Sequence, residues 1–483
     1  MNDRAAGDPP PGRSPSDAAQ SAPAAPILVI AGDRIAPRMA GPSIRALEIA
    51  RALHARGLRV TLAAPGAVEL PLPFAALGYD VRGDALHAAA AGAAAIFVQG
   101  LTLAQHPFLA ALDVPIVVDL YDPFVLENLH ARAGDTPSGR RRGHETDLAA
   151  LLDQLRRGDF FVCASEVQRD FWLGCLTAVG RLNPAVYDAG ADLRQLIDLL
   201  PFGLPDAPPS APAAPALRGV HPRVGPDDRV LLWGGGIWDW FDPLTLIRAV
   251  AAVAAERGDV RLFFMGTRTP SLYAPKQSMA DQAAALARDL GLLDRVVLFH
   301  DGWVDYDARA GYLLEADVGV STHLPHVETR YAYRTRLLDC IWAGLPMLVT
   351  EGDVLADLVR SAGLGQVVPP GDVAATAAAL HRLLAAVDAA VAAADPSRGR
   401  AAYAPAFDRV RATMTWSAAT APLARFAAAP ARAADRPTAG DATRAAATPL
   451  RALPRRAAEI IREAGVLALV EEAVRYVRWR RRG

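Results

Sequence analysis

Residues 27–64 read ILVIAGDRIAPRMAGPSIRALEIARALHARGLRVTLAA. Ile27-Leu-Val-Ile30 is an unbroken apolar run, which suits a strand buried on both faces of a parallel sheet, and Gly32-Asp33 ends it. A helix is expected from a Ser43 N-cap through Arg56, with Ile44, Leu47, Ile49, Ala50 and Leu53 on its apolar face and Gly57 as its stop. Leu58 to Ala64 supplies the next strand. Strand, helix and strand in this order imply a parallel sheet with a right-handed crossover.

The pattern recurs outward from this unit. Residues 95–98, 116–119 and 160–163 are further apolar runs, and 199–203 closes the half. Residues 205–216 are dense in Pro and Ala and read as a linker. A second series follows at 229–233, 260–265, 296–299, 318–320, 347–349 and 365–368, with helices expected over 280–290 and 337–343. The fold class expected is α/β, with two Rossmann-like doubly wound domains and a helical C-terminal tail. In sheets of this kind ligands bind at the carboxyl ends of the strands, which places the site in a cleft between the domains. The expected divisions are a disordered leader over 1–25, an N-terminal domain over 26–204, the linker 205–216 and a C-terminal domain over 217–406. A single closing helix over 407–428, a low-complexity linker over 429–453 and a basic amphipathic helix over 454–483 complete the chain.

Composition narrows the function. The 483 residues carry 51 Lys and Arg against 52 Asp and Glu, so no global basic field exists to hold nucleic acid. Cys163, Cys175 and Cys340 are too few and too scattered for a disulfide framework or a zinc site, which fits a reducing, cytoplasmic location. No apolar stretch precedes Pro26 and no run of eighteen apolar residues follows, so neither a secretory leader nor a membrane-spanning helix is expected. The tail from Arg451 onward holds nine Arg and four acids, with Ile460, Leu467, Val470, Tyr476 and Trp479 among them. That composition suits either the surface of an anionic bilayer or a helix docked on the catalytic core.

Glycine turns after strands are the first candidates for chemistry, because backbone N–H groups there hold phosphate. Gly32 and Gly41 follow the first strand, as tight-turn residues or ligand contacts; neither a dinucleotide fingerprint nor a P-loop is present, which argues against a dehydrogenase or an NTPase. Gly234-Gly235-Gly236-Ile-Trp238-Asp-Trp240-Phe241 reads as a ligand wall or as a plug at the domain interface. The densest polar cluster runs from His323 to Asp339, where Arg334 and Arg336 stand near a helix start, placed to pair with a diphosphate, and Asp339 is placed to accept ribose hydroxyls. The competing reading of that cluster is a solvated ion-pair face. Asp119 and Asp122 follow a strand of the first domain, placed to hold an acceptor hydroxyl or a loop, and they lack the Asp-x-Asp spacing that holds a metal on a nucleotide sugar. Arg268 and Lys276 add positive charge near the second sheet.

The order of Gly32 to Gly57 before a strand, Phe161-Val-Cys-Ala-Ser165-Glu166 before the linker, and the block from Glu328 to Gly352 resembles family four of the retaining glycosyltransferases, over residues 27–428. The resemblance implies the GT-B fold, with an acceptor-binding N-terminal domain and a C-terminal domain that binds a nucleotide-diphosphate sugar. The family's hallmark is Glu, seven residues, Glu, then Gly-x-Pro. Matching Gly344-Leu-Pro346 puts Asp339 at the second Glu, the ribose ligand, and Tyr331 at the first, so Glu328 is the substitute carboxylate toward the donor sugar. The family's basic residue after the first C-terminal strand is absent, and Arg334 and Arg336 stand in for it; such departures are similar to a branch found in bacterial surface-polysaccharide pathways.

The resemblance therefore implies catalytic roles for Glu328, Arg334 and Arg336, and donor contacts from Gly234, Gly235, Gly236, Trp238, Arg268, Tyr331 and Asp339. Gly41, Asp119 and Asp122 are assigned to the acceptor side, a glycan or a lipid-linked acceptor. The donor is a nucleotide-diphosphate sugar, with no obligatory metal or other cofactor, and the departing phosphate assists removal of the acceptor proton. The expected location is cytoplasmic, at the inner face of the membrane if the tail binds lipid. A nucleotide-sugar epimerase on the same fold and a non-catalytic partner that binds sugar nucleotides are the alternatives.

Overall fold

The computed structural model describes residues 25–81, 83–267, 278–300, 302–392, 402–433 and 435. The first domain contains, in order, β1 (Ile27–Ile30), α1 (Gly41–Ala55), β2 (Val60–Pro65), β3 (Ala75–Tyr79), α2 (Ala85–Ala91), β4 (Ala95–Gln99) and α3 (Thr102–Gln105). β5 (Ile116–Asp119), α4 (Phe124–Ala131), α5 (Pro137–Arg157), β6 (Phe160–Cys163), α6 (Glu166–Ala178), α7 (Pro184–Ala189) and β7 (Ile197–Leu199) follow. All seven strands are parallel, in the order β3-β2-β1-β4-β5-β6-β7.

The second domain repeats the scheme with β8 (Arg229–Trp233), α8 (Pro243–Glu256), β9 (Val260–Phe264), α9 (Ser278–Asp289), β10 (Val297–Phe299) and α10 (Arg309–Glu315). It continues through β11 (Val318–Ser321), a 3-10 turn over Val327–Tyr331, α11 (Thr335–Ala343), β12 (Met347–Thr350), α12 (Val354–Ala362), β13 (Gly365–Val368) and α13 (Val373–Ala392). Its six parallel strands run β10-β9-β8-β11-β12-β13. Strand order reverses between β1 and β4 in one sheet and between β8 and β11 in the other, so each sheet opens a crevice at that point.

The central strands are legible runs because both faces are covered: every residue of β1, β4, β5 and β6 is buried. α1 begins two residues before the expected Ser43 cap, since Pro42 needs no N–H in a first turn; Ser43 is buried inside the helix. β3 is an edge strand of which only Tyr79 is fully buried, and its Gly78 allows close contact, for a Cβ there would meet the Gly66 carbonyl oxygen at 2.2 Å.

The segment 205–216 lies against the second domain. Trp342 Nε1 donates to the Ala207 carbonyl at 2.7 Å, and the Glu315 carboxylate accepts from the N–H groups of Ala216, Leu217 and Arg218 at 2.5, 3.0 and 2.6 Å. The single helix expected over 407–428 is instead three: α14 (Ala404–Arg411), α15 (Trp416–Ala419) and α16 (Ala421–Ala428). Leu204 donates to the Met414 carbonyl and accepts from Trp416 N–H, which holds the chain extended between α14 and α15; the Thr415 hydroxyl then caps α15 and Pro422 opens α16. This closing segment returns to the first domain, where Phe426 stacks on Phe160 at 5.0 Å and Trp416 meets Phe202 at 4.8 Å. Residues 1–24, the linker from 436 and the amphipathic segment 454–483 lie outside the described residues. α13 is long and apolar enough to cross a bilayer by length and composition, yet Leu380, Leu383, Leu384 and Val387 are buried in the second domain.

Candidate active site

β8 ends at Trp233, and the chain turns at once through three glycines. Gly235 has φ +79°, a left-handed conformation that glycine adopts without strain, and nothing stands within 4 Å of where a Cβ would be. The turn is therefore open toward the cleft. It is fixed from below: Arg336 Nη2 donates to the Gly236 carbonyl at 2.9 Å, and the Arg336 guanidinium lies over the rings of Phe241 at 3.9 Å and Trp233 at 4.7 Å. Arg336 sits in the first turn of α11, whose C-terminal end is set by Gly344 in the left-handed region.

The two arginines have different surroundings. Arg334 is held between carboxylates, with Nη2 at 3.3 Å from Glu328 Oε2 and Nε at 3.6 Å from Asp353 Oδ2. No carboxylate pairs with Arg336 among the described residues, and its Nη1 is enclosed without a hydrogen-bond partner. Burial, reinforced by the Arg334 charge, presses its guanidinium down to about 9. A desolvated cation with no counterion among the described residues, beside an open glycine turn at the carboxyl edge of β8, is a site suited to an anion.

Glu328 is almost wholly buried in the 3-10 turn after β11. His326 lies beside it, with Nε2 3.7 Å from Glu328 Oε2, and stacks on His130 of the first domain at 5.3 Å and 11°. Burial and the positive neighbours His130 and Arg334 drive His326 down to about 4. His323, two residues beyond the end of β11, is bonded to the Thr350 hydroxyl and held well below the usual imidazole range by burial.

The first domain supplies the opposite wall. Asp119 does not face the cleft freely: it is buried, and Arg45 reaches Oδ2 at 2.6 Å and Oδ1 at 2.9 Å while also donating to the Leu200 carbonyl at 2.7 Å. The expected acceptor role is thus displaced by a buried ion pair that pins α1 to the sheet. Asp122, three residues on, is hydrogen-bonded to Glu127 in the first turn of α4. Burial chiefly, with the charges of Glu328 and Asp119, raises Asp122 to about 6, while burial and Asp122 itself lift Glu127 far higher.

The remaining expected residues are distributed around this chamber. Gly41 opens α1, with its Cβ position 3.7 Å from the Tyr121 hydroxyl. Trp238 stacks on Trp240 at 5.4 Å and 2° and packs against the second domain's core, so the pair leans on protein as well as bordering the cleft. Tyr331 is engaged across the domains: its ring meets Phe171 at 4.8 Å and its carbonyl accepts from Gln168 Nε2 at 2.7 Å. Asp339 pairs with Arg309 at 3.0 Å and keeps an exposed carboxylate edge. Arg268 and Lys276 lie outside the described residues.

Several residues at the cleft carry no sequence signal that separates them from ordinary helix positions. Glu127 reads as a first-turn acid, and Gln168, wholly buried, bridges the Tyr121 and Tyr331 carbonyls from opposite domains. His130 bonds the Asp239 carbonyl at 3.0 Å, and Trp303 Nε1 donates to the Met39 carbonyl at 3.1 Å, so both ends of the cleft are bridged.

Residues 228–386 match the family model of the group 1 glycosyl transferases. No curated protein sequence matches the chain. Among solved structures, it is similar to HepE from Anabaena, in complex with UDP and glucose, at 14% identity and TM-score 0.58 over 84% of this chain and 100% of that one. Sucrose-phosphate synthase from Thermosynechococcus elongatus aligns at 18% identity and TM-score 0.57, over 83% of this chain and 98% of that one. WaaG, a glycosyltransferase involved in lipopolysaccharide biosynthesis, aligns at 18% identity and TM-score 0.51, again over 83% and 98%. The two parallel sheets facing a cleft are the GT-B fold of these glycosyltransferases.

Proposed function

We propose, for a chain whose second domain matches the group 1 glycosyl transferases and whose fold is GT-B, that it moves a sugar from a nucleotide diphosphate to an acceptor hydroxyl with retention at the anomeric carbon. The observation that carries this reading is Arg336, a desolvated guanidinium with no carboxylate partner among the described residues, beside the open Gly235 turn. Negative charge grows on the leaving diphosphate as the glycosidic bond breaks, and a preorganised cation with glycine N–H groups stabilises it without rearrangement. The Glu328, Arg334 and Asp353 cluster then orients the donor sugar, with Asp339 toward the ribose. The nucleotide we favour is uridine, because HepE was solved with UDP.

The acceptor is a glycan or a lipid-linked sugar of a surface polysaccharide, a reading supported by the likeness to WaaG. The tail helix would hold the enzyme at the inner face of an anionic membrane. A second reading, epimerisation of a nucleotide sugar, draws on the Asp122 and Glu127 carboxyls in the cleft, which are of the type such proton exchange needs.

Calorimetry with UDP, and with UDP-, GDP- and dTDP-glucose, tests the donor site. Arg336→Ala is expected to weaken UDP binding by about 10–100-fold, the loss typical of a hydrogen bond to a charged group. Undiminished affinity would remove the assignment. NMR of the glycoside formed reports retention, and sugar-nucleotide turnover that yields an epimer without acceptor favours the second reading.

A further inference from the structure

We propose that Gln99 and Tyr121 bind two hydroxyls of a neutral sugar on the acceptor, at the crevice where the strand order of the first sheet reverses. This rests on the transfer reading and deepens it by naming what the acceptor must present. Gln99 is the last residue of β4, in register with Asp119 of β5, and it is 4% exposed. Its Nε2 donates at 3.0 Å to the carbonyl of Pro42 in the first turn of α1, which fixes the amide, because a flip would set two oxygens against each other. The Oε1 atom is left buried without a hydrogen-bond partner. A buried oxygen in that condition is rare and calls for an occupant. The neighbouring backbone leaves space for one: outside the adjoining residues, nothing stands within 4 Å of where a Cβ would be on Gly32, just beyond β1, or on Gly100, just beyond β4.

Tyr121 borders the same helix start. Its N–H is taken by Asp119 and its carbonyl by Gln168, while its hydroxyl, 3.7 Å from the Cβ position of Gly41, is bonded by no described residue. The Arg45 guanidinium lies 4.5 Å from the centre of its ring. Arg45 commits Nε and Nη2 to Asp119 and Leu200 and leaves Nη1, also buried, without a partner. An amide oxygen, a phenol and a guanidinium N–H therefore gather around residues 41–45 of α1. Because Asp119 neutralises Arg45, this set matches hydroxyls rather than a phosphate or a carboxylate. One hydroxyl donates to Gln99 Oε1, and a second accepts from the Tyr121 hydroxyl, with Arg45 Nη1 as a further donor. The donor turn is close by. Trp303 Nε1 bonds the Met39 carbonyl, two residues before Gly41, and its ring stands 3.1 Å from the Cβ position of Gly266, which is 3.4 Å from the Gly235 backbone. With the Gln168 bridge from Tyr121 to Tyr331, these cross-cleft bonds close over the crevice, and a sugar enters as they part.

The test uses the full chain with UDP-, GDP- and dTDP-glucose as donors and the methyl α-glycosides of glucose, galactose and mannose as acceptors, following nucleotide release, with nucleotide affinity by calorimetry. Monodeoxy analogues of the acceptor that turns over report each hydroxyl other than the one glycosylated. Gln99→Met keeps the side-chain length and removes both polar atoms; it should lower kcat/KM for the acceptor about 10-fold, chiefly through KM, with nucleotide affinity unchanged. In the wild type one deoxy analogue should lose about the same factor, and Gln99→Met should not distinguish that analogue from its parent. Tyr121→Phe keeps the ring on Arg45 and should behave likewise toward a second hydroxyl. Unchanged acceptor kcat/KM in either variant, with nucleotide binding intact, assigns the free polar atoms to water, overturns the subsite and leaves the transfer reading standing. Losses from variant and analogue that simply add for every hydroxyl, or a wild type that binds a nucleotide and transfers to none of these sugars, overturn the subsite as well. A wild type that binds none of the three nucleotide sugars overturns both.

Discussion

Asp119 and Asp122 leave the same strand end with opposite fates. Asp119 meets Arg45, wholly buried on α1, and the pair closes on itself. Asp122 meets another acid, and its ionised form is retained against desolvation. A carboxyl raised from 3.8 to about 6 by the fold destabilises the folded state wherever it is ionised there, above about pH 6; the penalty fades as pH falls toward the unfolded value. Asp122→Asn removes that penalty. It should therefore stabilise the protein at pH 7.5 by about 1–2 kcal/mol, allowing for solvent reaching the cleft, and the gain should vanish by about pH 4 in thermal melts. A variant equally stable at both pH values would contradict the retained charge. Sequence presents these two aspartates as equivalents, because the arginine that separates them lies 74 residues away. The same holds for Arg334 and Arg336, where only the fold shows that Glu328 and Asp353 neutralise the first and spare the second.

At the scale of elements, legibility follows burial. β1, β4, β5 and β6 are covered on both faces and so appear as plain apolar runs, whereas β3 borders solvent and is a short Ala-Ala-Leu-Gly-Tyr run in which only Tyr79 is buried. The closing segment departs from a single helix for a related reason: its breaks answer to Leu204, a partner distant in sequence. The tryptophan segment after β8 shows what sequence leaves open. Asp239 caps α9 by accepting from Met279 N–H at 2.8 Å and Ser278 Oγ at 3.1 Å, while its carbonyl bonds His130. One loop thus joins a helix start to the opposite domain. The tail is the converse case, a segment outside the described residues whose composition holds nine Arg and four acids from residue 451. Each basic residue near an anionic surface contributes about 1 kcal/mol, so the full chain should float with phosphatidylglycerol-containing liposomes at low salt and sediment at high salt. A chain lacking residues 449–483 should not float, and flotation of both would assign the membrane contact elsewhere.

Among the described residues the two sheets are joined by the 205–216 segment, by the cross-cleft bonds, and by the closing helices that cross back to the first domain. The last of these is apolar, as is the Phe171–Tyr331 ring contact across the cleft. Trp416 is almost fully buried, packs against Phe202, and lies so near Gly203 that a Cβ on that glycine would meet its backbone at 2.7 Å. Leu423 and Phe426 continue the contact onto the first domain, within a cluster that also holds Leu204, Leu217 and Phe407. The cross-cleft bonds are polar and few, among them Gln168 to Tyr331, His130 to Asp239 and Trp303 to Met39, and bonds of that kind are the ones a ligand-driven opening must break. The closing helices therefore act as the permanent joint and the cleft bonds as the reversible one. Trp416→Ala should cost about 3–5 kcal/mol by leaving a large cavity in that joint. Because the lost packing couples the domains, scanning calorimetry should show one unfolding transition in the wild type and two in the variant. A single transition merely shifted to lower temperature would mean that the cleft contacts alone suffice to couple the two sheets.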